Sequence, residues 1–296
     1  MHEYTNTTAP PARLRRTLQF PLIRIALAAL ALFAVIAAVQ LLARTLRVAP
    51  HTAPALLATL VLIAGVLGTY GIYVRLVERR TIAELNLRRA APEFGLGCVI
   101  GALLFGTVIG ILWAAGVWRA GGADAQTTWL YPLAGAAAAG FTEEILMRGV
   151  VFRILETWLG SWAALALSAL FFGVLHALNP GATIVSTLAI ALEAGILLAA
   201  AFMYSRRLWL PIGLHAAWNF TEGGIFGANV SGGASQGLLI SRFRGPELLT
   251  GGKFGPEASL VAVLVCLVAG AGFILLARRR GQILAPSWRR HSRSAE

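Results

Sequence analysis

The chain has 296 residues, 57% of them hydrophobic and only 13% charged, with a net charge of +12 and a mean hydropathy of +0.73. Soluble domains run nearer to about 45–50% apolar and about 25% charged, so a soluble fold is excluded, and the arginine-rich cations sit between apolar runs where they orient membrane segments rather than bind nucleic acid. The only two cysteines, Cys98 and Cys266, lie inside apolar runs, which excludes a disulfide framework or a paired-cysteine metal site.

A basic stretch (Arg13, Arg15, Arg16) precedes the first apolar run, at 20–43. That run is too long for the core of a secretory signal and no small-residue cleavage site follows, so it is expected to remain as a first membrane span. Further spans are expected at 53–76, 94–118, 130–152, 161–178, 182–204, 208–226 and 258–277, eight in all. The fourth to seventh are interrupted by glycine and polar residues. With the N-terminus inside, 18 of the 25 cations fall on inner segments, so both termini are expected in the cytoplasm of a multi-pass cell-membrane protein. The Gly/Ser-rich stretch 223–255 reads as a long flexible loop, either a gate or substrate lip or a plain linker. The basic tail 279–296 suits an anionic inner-leaflet surface. An Arg-, Ala- and Leu-heavy composition points to a GC-rich bacterial genome.

Ionisable groups at membrane depth cost about 2.5–3.5 kcal/mol each on insertion scales and therefore direct attention to function. Three segments carry them: Glu143-Glu144-xxx-Arg148 in the fourth span, Phe172-xxx-His176 at the end of the fifth, and His215-xxx-Asn219 in the seventh. Glu144 and Arg148 stand i,i+4 with the acid first, the favourable order for a same-face ion pair, so structure is favoured over chemistry there. Glu143 points about 100° away and has no cation at i±3 or i±4, which leaves it available as a general base. His176 has no charged partner in its own span, and a lone histidine on an apolar face is more often structural than functional. His215 and Asn219, i,i+4, direct two donors to one point or else hold a helix contact. Counted from the inner helix ends, Glu143, His176 and His215 lie at roughly 18, 24 and 12 Å, mid-depth in a core about 30 Å thick. Glu193, in the sixth span, either lines that cavity or pairs helices. Glu222, seven residues beyond His215, either lines it or caps a helix end.

The three motifs, in this order on successive spans, resemble those of the CPBP family (CAAX protease and bacteriocin-processing, Rce1-type) of intramembrane endopeptidases. The stretch Glu78-Arg-Arg-Thr-Ile-Ala-Glu-Leu-Asn-Leu87-Arg-Arg is similar to an inner loop of its bacterial members. The likeness covers residues 141–222, more weakly from about 75. It implies an all-α polytopic membrane protein of about eight helices around a mid-membrane polar cavity. The chain then divides into an N-terminal tail (1–19), helices one to three (20–118), a catalytic core with the last helix (119–278) and the basic tail (279–296). It also implies intramembrane hydrolysis of a peptide bond in a prenylated or membrane-anchored substrate, with no cofactor. Glu143 and His176 would activate water, His215 and Asn219 would stabilise the oxyanion, and Glu144, Arg148 and Phe172 would support them. Two rivals stay open. Glu143, His176 and His215 also make a one-carboxylate, two-histidine zinc set, although no HExxH is present. Acids and histidines in spans also build proton relays in transporters, and an immunity factor could share the motifs.

Overall fold

A computed structural model describes residues 17–124 and 128–292; Arg13, Arg15, Arg16 and Arg293 lie outside the described residues. Every expected span is helical: α1 (Pro21–Thr45), α2 (Ala53–Tyr73, with a π-helical turn Val74–Glu78), α3 (Ala90–Ala114), α4 (Leu130–Glu144), α5 (Ser161–His176), α6 (Ile184–Ser205), α7 (Trp209–Asn219) and, after the short α8 (Glu247–Thr250), α9 (Leu260–Arg279). A final turn, α10, covers Ser287–Ser292. Five helical runs are long and apolar enough to cross a membrane: Pro21–Thr45, Ala53–Glu78, Ala83–Ala114, Ile184–Ser205 and Leu260–Arg279. Proline in the first turn of α1 and α2 presets helical backbone angles. Thr183 caps α6 in a reciprocal box with Ser186, and the Ser259 hydroxyl accepts from Ala262 N to cap α9. Leu30, Leu60, Leu103 and Val268 stand exposed on the outside of the bundle, a surface that only a lipid solvent tolerates.

Two boundaries differ from the sequence reading. The third helix stops at Ala114 rather than 118, and Trp118–Ala123 forms a strand, β1, antiparallel to β2 (Leu239–Phe243). α4 does not stop at 152; it runs on through a π-helical stretch, Ile145–Phe152, into Arg153–Leu159. A further π turn, Ala191–Gly195, lies inside α6, and another, Phe220–Ile225, extends α7. Nor is 223–255 a structureless loop. Beyond the end of α7 it holds β2 and α8, and it folds on itself: Gly232 N donates to Phe254 O at 2.7 Å and Asn229 Nδ2 to Lys253 O at 3.0 Å. Gly232 has φ +80°, and a Cβ there would collide with Pro180 O, so close packing rather than flexibility requires the glycine.

Small residues draw the site-bearing helices together. Side chains at Gly97 and Gly101 of α3 would strike the backbone of Leu210 and Leu214 on α7, and one at Gly213 would strike Phe94 O. This is the close small-residue approach of membrane helices. Gly140 of α4 rests against Ile212 O and Ala216 of α7, while Gly195 of α6 rests against Ala169 of α5. α7 is thus central, with Leu210 to Ala216 buried.

Polar contacts fasten one end of the bundle. Glu78 accepts from Arg24, from Arg80 Nε at 2.6 Å and from Arg153 Nη2 at 2.7 Å; Glu84 accepts from Tyr70 and from Arg80 Nη2 at 2.5 Å. Leu208 N donates to Glu84 O at 2.9 Å, tying the start of α7 to the same knot. The chain after α9 crosses the α4–α5 turn, where Ser161 N donates to Leu284 O and the Ser161 hydroxyl accepts from Leu284 N.

Candidate active site

Glu143, His176 and His215 arrive from α4, α5 and α7 and meet. Glu143 Oε2 stands 3.8 Å from His176 Nε2 and 3.9 Å from His215 Nε2. Measured along their helices, the three residues lie roughly 24, 22 and 9 Å from Leu159, Ser161 and Trp209. They converge because these helix ends are staggered rather than level. Glu143 is the partly exposed member, with 34% of its side chain accessible, whereas His176 and His215 are mostly covered. Its Oε2 atom is buried and makes no hydrogen bond to protein.

Each histidine is oriented from behind. His176 Nδ1 lies 2.8 Å from Phe172 O; a carbonyl only accepts, so Nδ1 carries a proton and Nε2 is the ring nitrogen that faces Glu143. His215 Nδ1 lies 2.9 Å from Glu144 Oε1, and that same oxygen accepts from Arg148 Nη1 at 2.8 Å. An oxygen held by a guanidinium is a carboxylate, so His215 Nδ1 is the donor. For Nε2 to donate as well, the ring must be the imidazolium.

Glu144 and Arg148 therefore do more than neutralise each other. Arg148 is 1% exposed and Glu144 not at all. Arg148 Nη2 donates to the carbonyls of Ala194 (3.0 Å) and Gly195 (3.2 Å) at the π turn of α6, and its Cζ lies 4.8 Å above the Phe172 ring. Phe172 in turn packs on His176 at 4.6 Å between centroids and faces His215 at 6.2 Å. One buried arginine thus ties α4, α5 and α6 behind the two histidines.

His176, His215 and Asn219 line one small cavity together with Glu193, Ser231 and Glu257. Glu193 is 2% exposed and lies within hydrogen-bond reach of Cys266 Sγ on α9, at 3.5 Å, so it both lines the cavity and joins two helices. Glu222 is fully buried but is not among the lining residues. Its carboxyl faces Glu257 and Glu193, two acids that do line the cavity, and its backbone carbonyl accepts from Ala228 N. Glu257, which the motif reading missed, is 3% exposed and accepts from Ser231 N at 2.7 Å. The only sequence signal for it was an acid wedged in the apolar run Phe254-Gly-Pro-Glu-Ala.

The candidate zinc set draws one side chain each from α4, α5 and α7. Ligand atoms at 2.0–2.2 Å in a tetrahedron stand about 3.4 Å apart, whereas Glu143 lies 3.8 and 3.9 Å from the two histidines. Among the described residues no group of three His, Cys, Asp or Glu side chains is disposed to hold a metal ion.

A comparison with family models agrees with the motifs: residues 125–221 match the family described as type II CAAX prenyl endopeptidase Rce1-like. The match takes in Glu143, Glu144, Arg148, Phe172, His176, Glu193, His215 and Asn219. No curated protein and no solved structure matches the chain.

Proposed function

We propose that this membrane protein is an intramembrane endopeptidase that hydrolyses a peptide bond in a membrane-associated polypeptide by attack of a water held between Glu143 and His176. The observation that carries this reading is the convergence of Glu143 Oε2 on His176 Nε2 and His215 Nε2 at 3.8 and 3.9 Å. Those separations are too long for direct hydrogen bonds, and they leave room for one water between the acid and the rings. His176 Nε2 accepts one water proton and fixes its orientation; Glu143 takes the other as oxygen attacks the carbonyl. His215 Nε2–H, in the imidazolium form, and the Asn219 amide donate to the tetrahedral oxyanion. Glu143 then returns its proton to the departing amine, so the cycle closes without a metal. The clustering of polar groups at one depth supports hydrolysis over a proton relay, which needs polar steps across the whole membrane.

Glu143→Gln tests the proposal, because it removes the proton acceptor and keeps the shape. Cleavage should fall at least about 10²-fold with the folded protein still in the membrane. A variant retaining more than about a tenth of the wild-type rate would remove Glu143 from the mechanism.

A further inference from the structure

Behind the two histidines lie buried acids that the proposed reaction does not use. We infer that two of them, Glu222 and Glu257, share one proton and form the clasp that holds the segment 228–258 over His176, His215 and Asn219. Both are then positioning residues for the site. The shared proton stands on packing and donor geometry; its consequence for turnover rests on the hydrolase reading.

His176 borders two spaces. Glu143 stands in one of them, against Phe33, Leu146 and Met147. The other, of about 20 Å³, is the cavity that His176 shares with His215 and Asn219, and Glu193, Ser231 and Glu257 complete its polar wall. Ser231 and Glu257 both belong to the connection between α7 and α9. They stand 26 residues apart, and Ser231 N donates to Glu257 Oε1 at 2.7 Å. Ser231 has φ +49°, a left-handed backbone that serine adopts where its surroundings impose it. The two bonds that fold this connection on itself, from Gly232 N and Asn229 Nδ2, lie beside that contact. Glu257 is therefore the point at which the cover meets the cavity.

Glu222 reaches Glu257 from α7. It is fully buried, and its carboxyl is in hydrogen-bond contact with that of Glu257. Gly255 makes the approach possible: it has φ +129°, Asn229 O occupies the place of a Cβ, and Glu222 Oε1 lies 3.5 Å from that place. Carboxylates only accept, so two of them in contact need a proton between them. The donors decide which acid carries it. Glu257 receives the Ser231 N–H, whereas among the described residues no group donates to either oxygen of Glu222. Glu257 is thus the carboxylate and Glu222 the acid that donates to it, a charge-assisted bond. The other ionisable groups that face the pair are Glu193 of α6, His176 of α5 and Cys266 of α9. Arg148 is already engaged by Glu144 and by the carbonyls of α6.

Infrared spectroscopy of the purified protein, at a pH well above the ordinary carboxylate range, reads the proton through the C=O stretch of an un-ionised carboxyl group. The wild type should show such a band, Glu222→Gln should lack it, and Glu193→Gln should keep it. No band in the wild type, or a band removed by Glu193→Gln and not by Glu222→Gln, would overturn the shared proton. Hydrogen exchange read by mass spectrometry tests the clasp. Glu222→Gln keeps a donor to Glu257, so the amides of 228–236 should exchange as in the wild type. Glu222→Met, of similar volume but without a donor, should exchange them about tenfold faster or more, the equivalent of one hydrogen bond to a charged group. Equal protection in the two variants would overturn the clasp. Turnover should fall about tenfold further in Glu222→Met than in Glu222→Gln, and equal turnover would remove both acids from the positioning of the site. The spectrum and the exchange do not depend on turnover, so a wild type that cleaves nothing sinks the hydrolase reading and leaves the shared proton and the clasp standing.

Discussion

Arg148→Ala should destabilise the protein far more than an exposed arginine would. The side chain is 1% exposed and makes a 2.8 Å bond to Glu144, two bonds to carbonyls of α6, and a ring contact with Phe172. Truncation leaves Glu144, fully buried, with His215 as its remaining partner and leaves the Ala194 and Gly195 carbonyls without their donor. Breaking a buried pair from one side costs about 3–5 kcal/mol, a large share of a total stability of about 5–15 kcal/mol. Adding Glu144→Gln removes the stranded charge and should restore part of the loss, with a coupling of about 1–3 kcal/mol. Recovery should be incomplete, because the α6 carbonyls stay unpaired and His215 loses its carboxylate. Denaturant unfolding of the wild type, both single variants and the double variant in detergent gives the four corners of the cycle. Additivity within about 0.5 kcal/mol would refute the claim that this pair is one structural unit.

Asn219→Ala should lower kcat by about 10²–10³ with little change in KM, the usual cost of an absent oxyanion donor; a KM effect alone would make Asn219 a substrate-binding group. Purified protein should hold well under one zinc per chain and keep its activity after dialysis against a strong chelator, measured by elemental analysis beside turnover. Stoichiometric zinc, with activity lost on chelation and regained on addition, would move Glu143, His176 and His215 to a metal site. Gly101→Ala should push α7 off α3, because the new Cβ meets the Leu214 carbonyl and Trp218 N. Overpacking of this kind costs about 1–3 kcal/mol, so both Tm and kcat should fall, while Gly106→Ala on the open face of α3 should change neither.

The eight helices were legible because a bilayer enforces long apolar runs, and the runs at 20–43 and 258–277 match α1 and α9 within two residues. Glu143, His176 and His215 were legible because an ionisable group at depth has few innocent explanations. What escaped were features set by contacts distant in sequence. Glu144 could be paired with Arg148 from helical spacing, but its bond to His215 spans 71 residues and leaves no periodic trace. Glu257 lies outside every span and looks like an ordinary connection residue until the segment from 226 onward folds over the cavity. The glycines of that segment suggested freedom, yet Gly232 is needed because Pro180 presses on it.

The π turns also bear on how this chain aligns with similar sequences. A π turn is an α-helix with one residue too many, so deleting that residue restores regular winding and turns everything beyond it by about 100°. In α6 the turn Ala191–Gly195 carries Glu193 and supplies the two carbonyls that hold Arg148, while Leu197–Met203 beyond it are buried throughout. The halves of such a span keep separate phases, and the extra residue between them is where a polar group enters without disturbing either. Pairwise alignments with proteins of the matched family should therefore need single-residue gaps inside spans, at 145–152, 191–195 and 220–225. Procedures that confine gaps to connections will set the second half of each helix one position out of step.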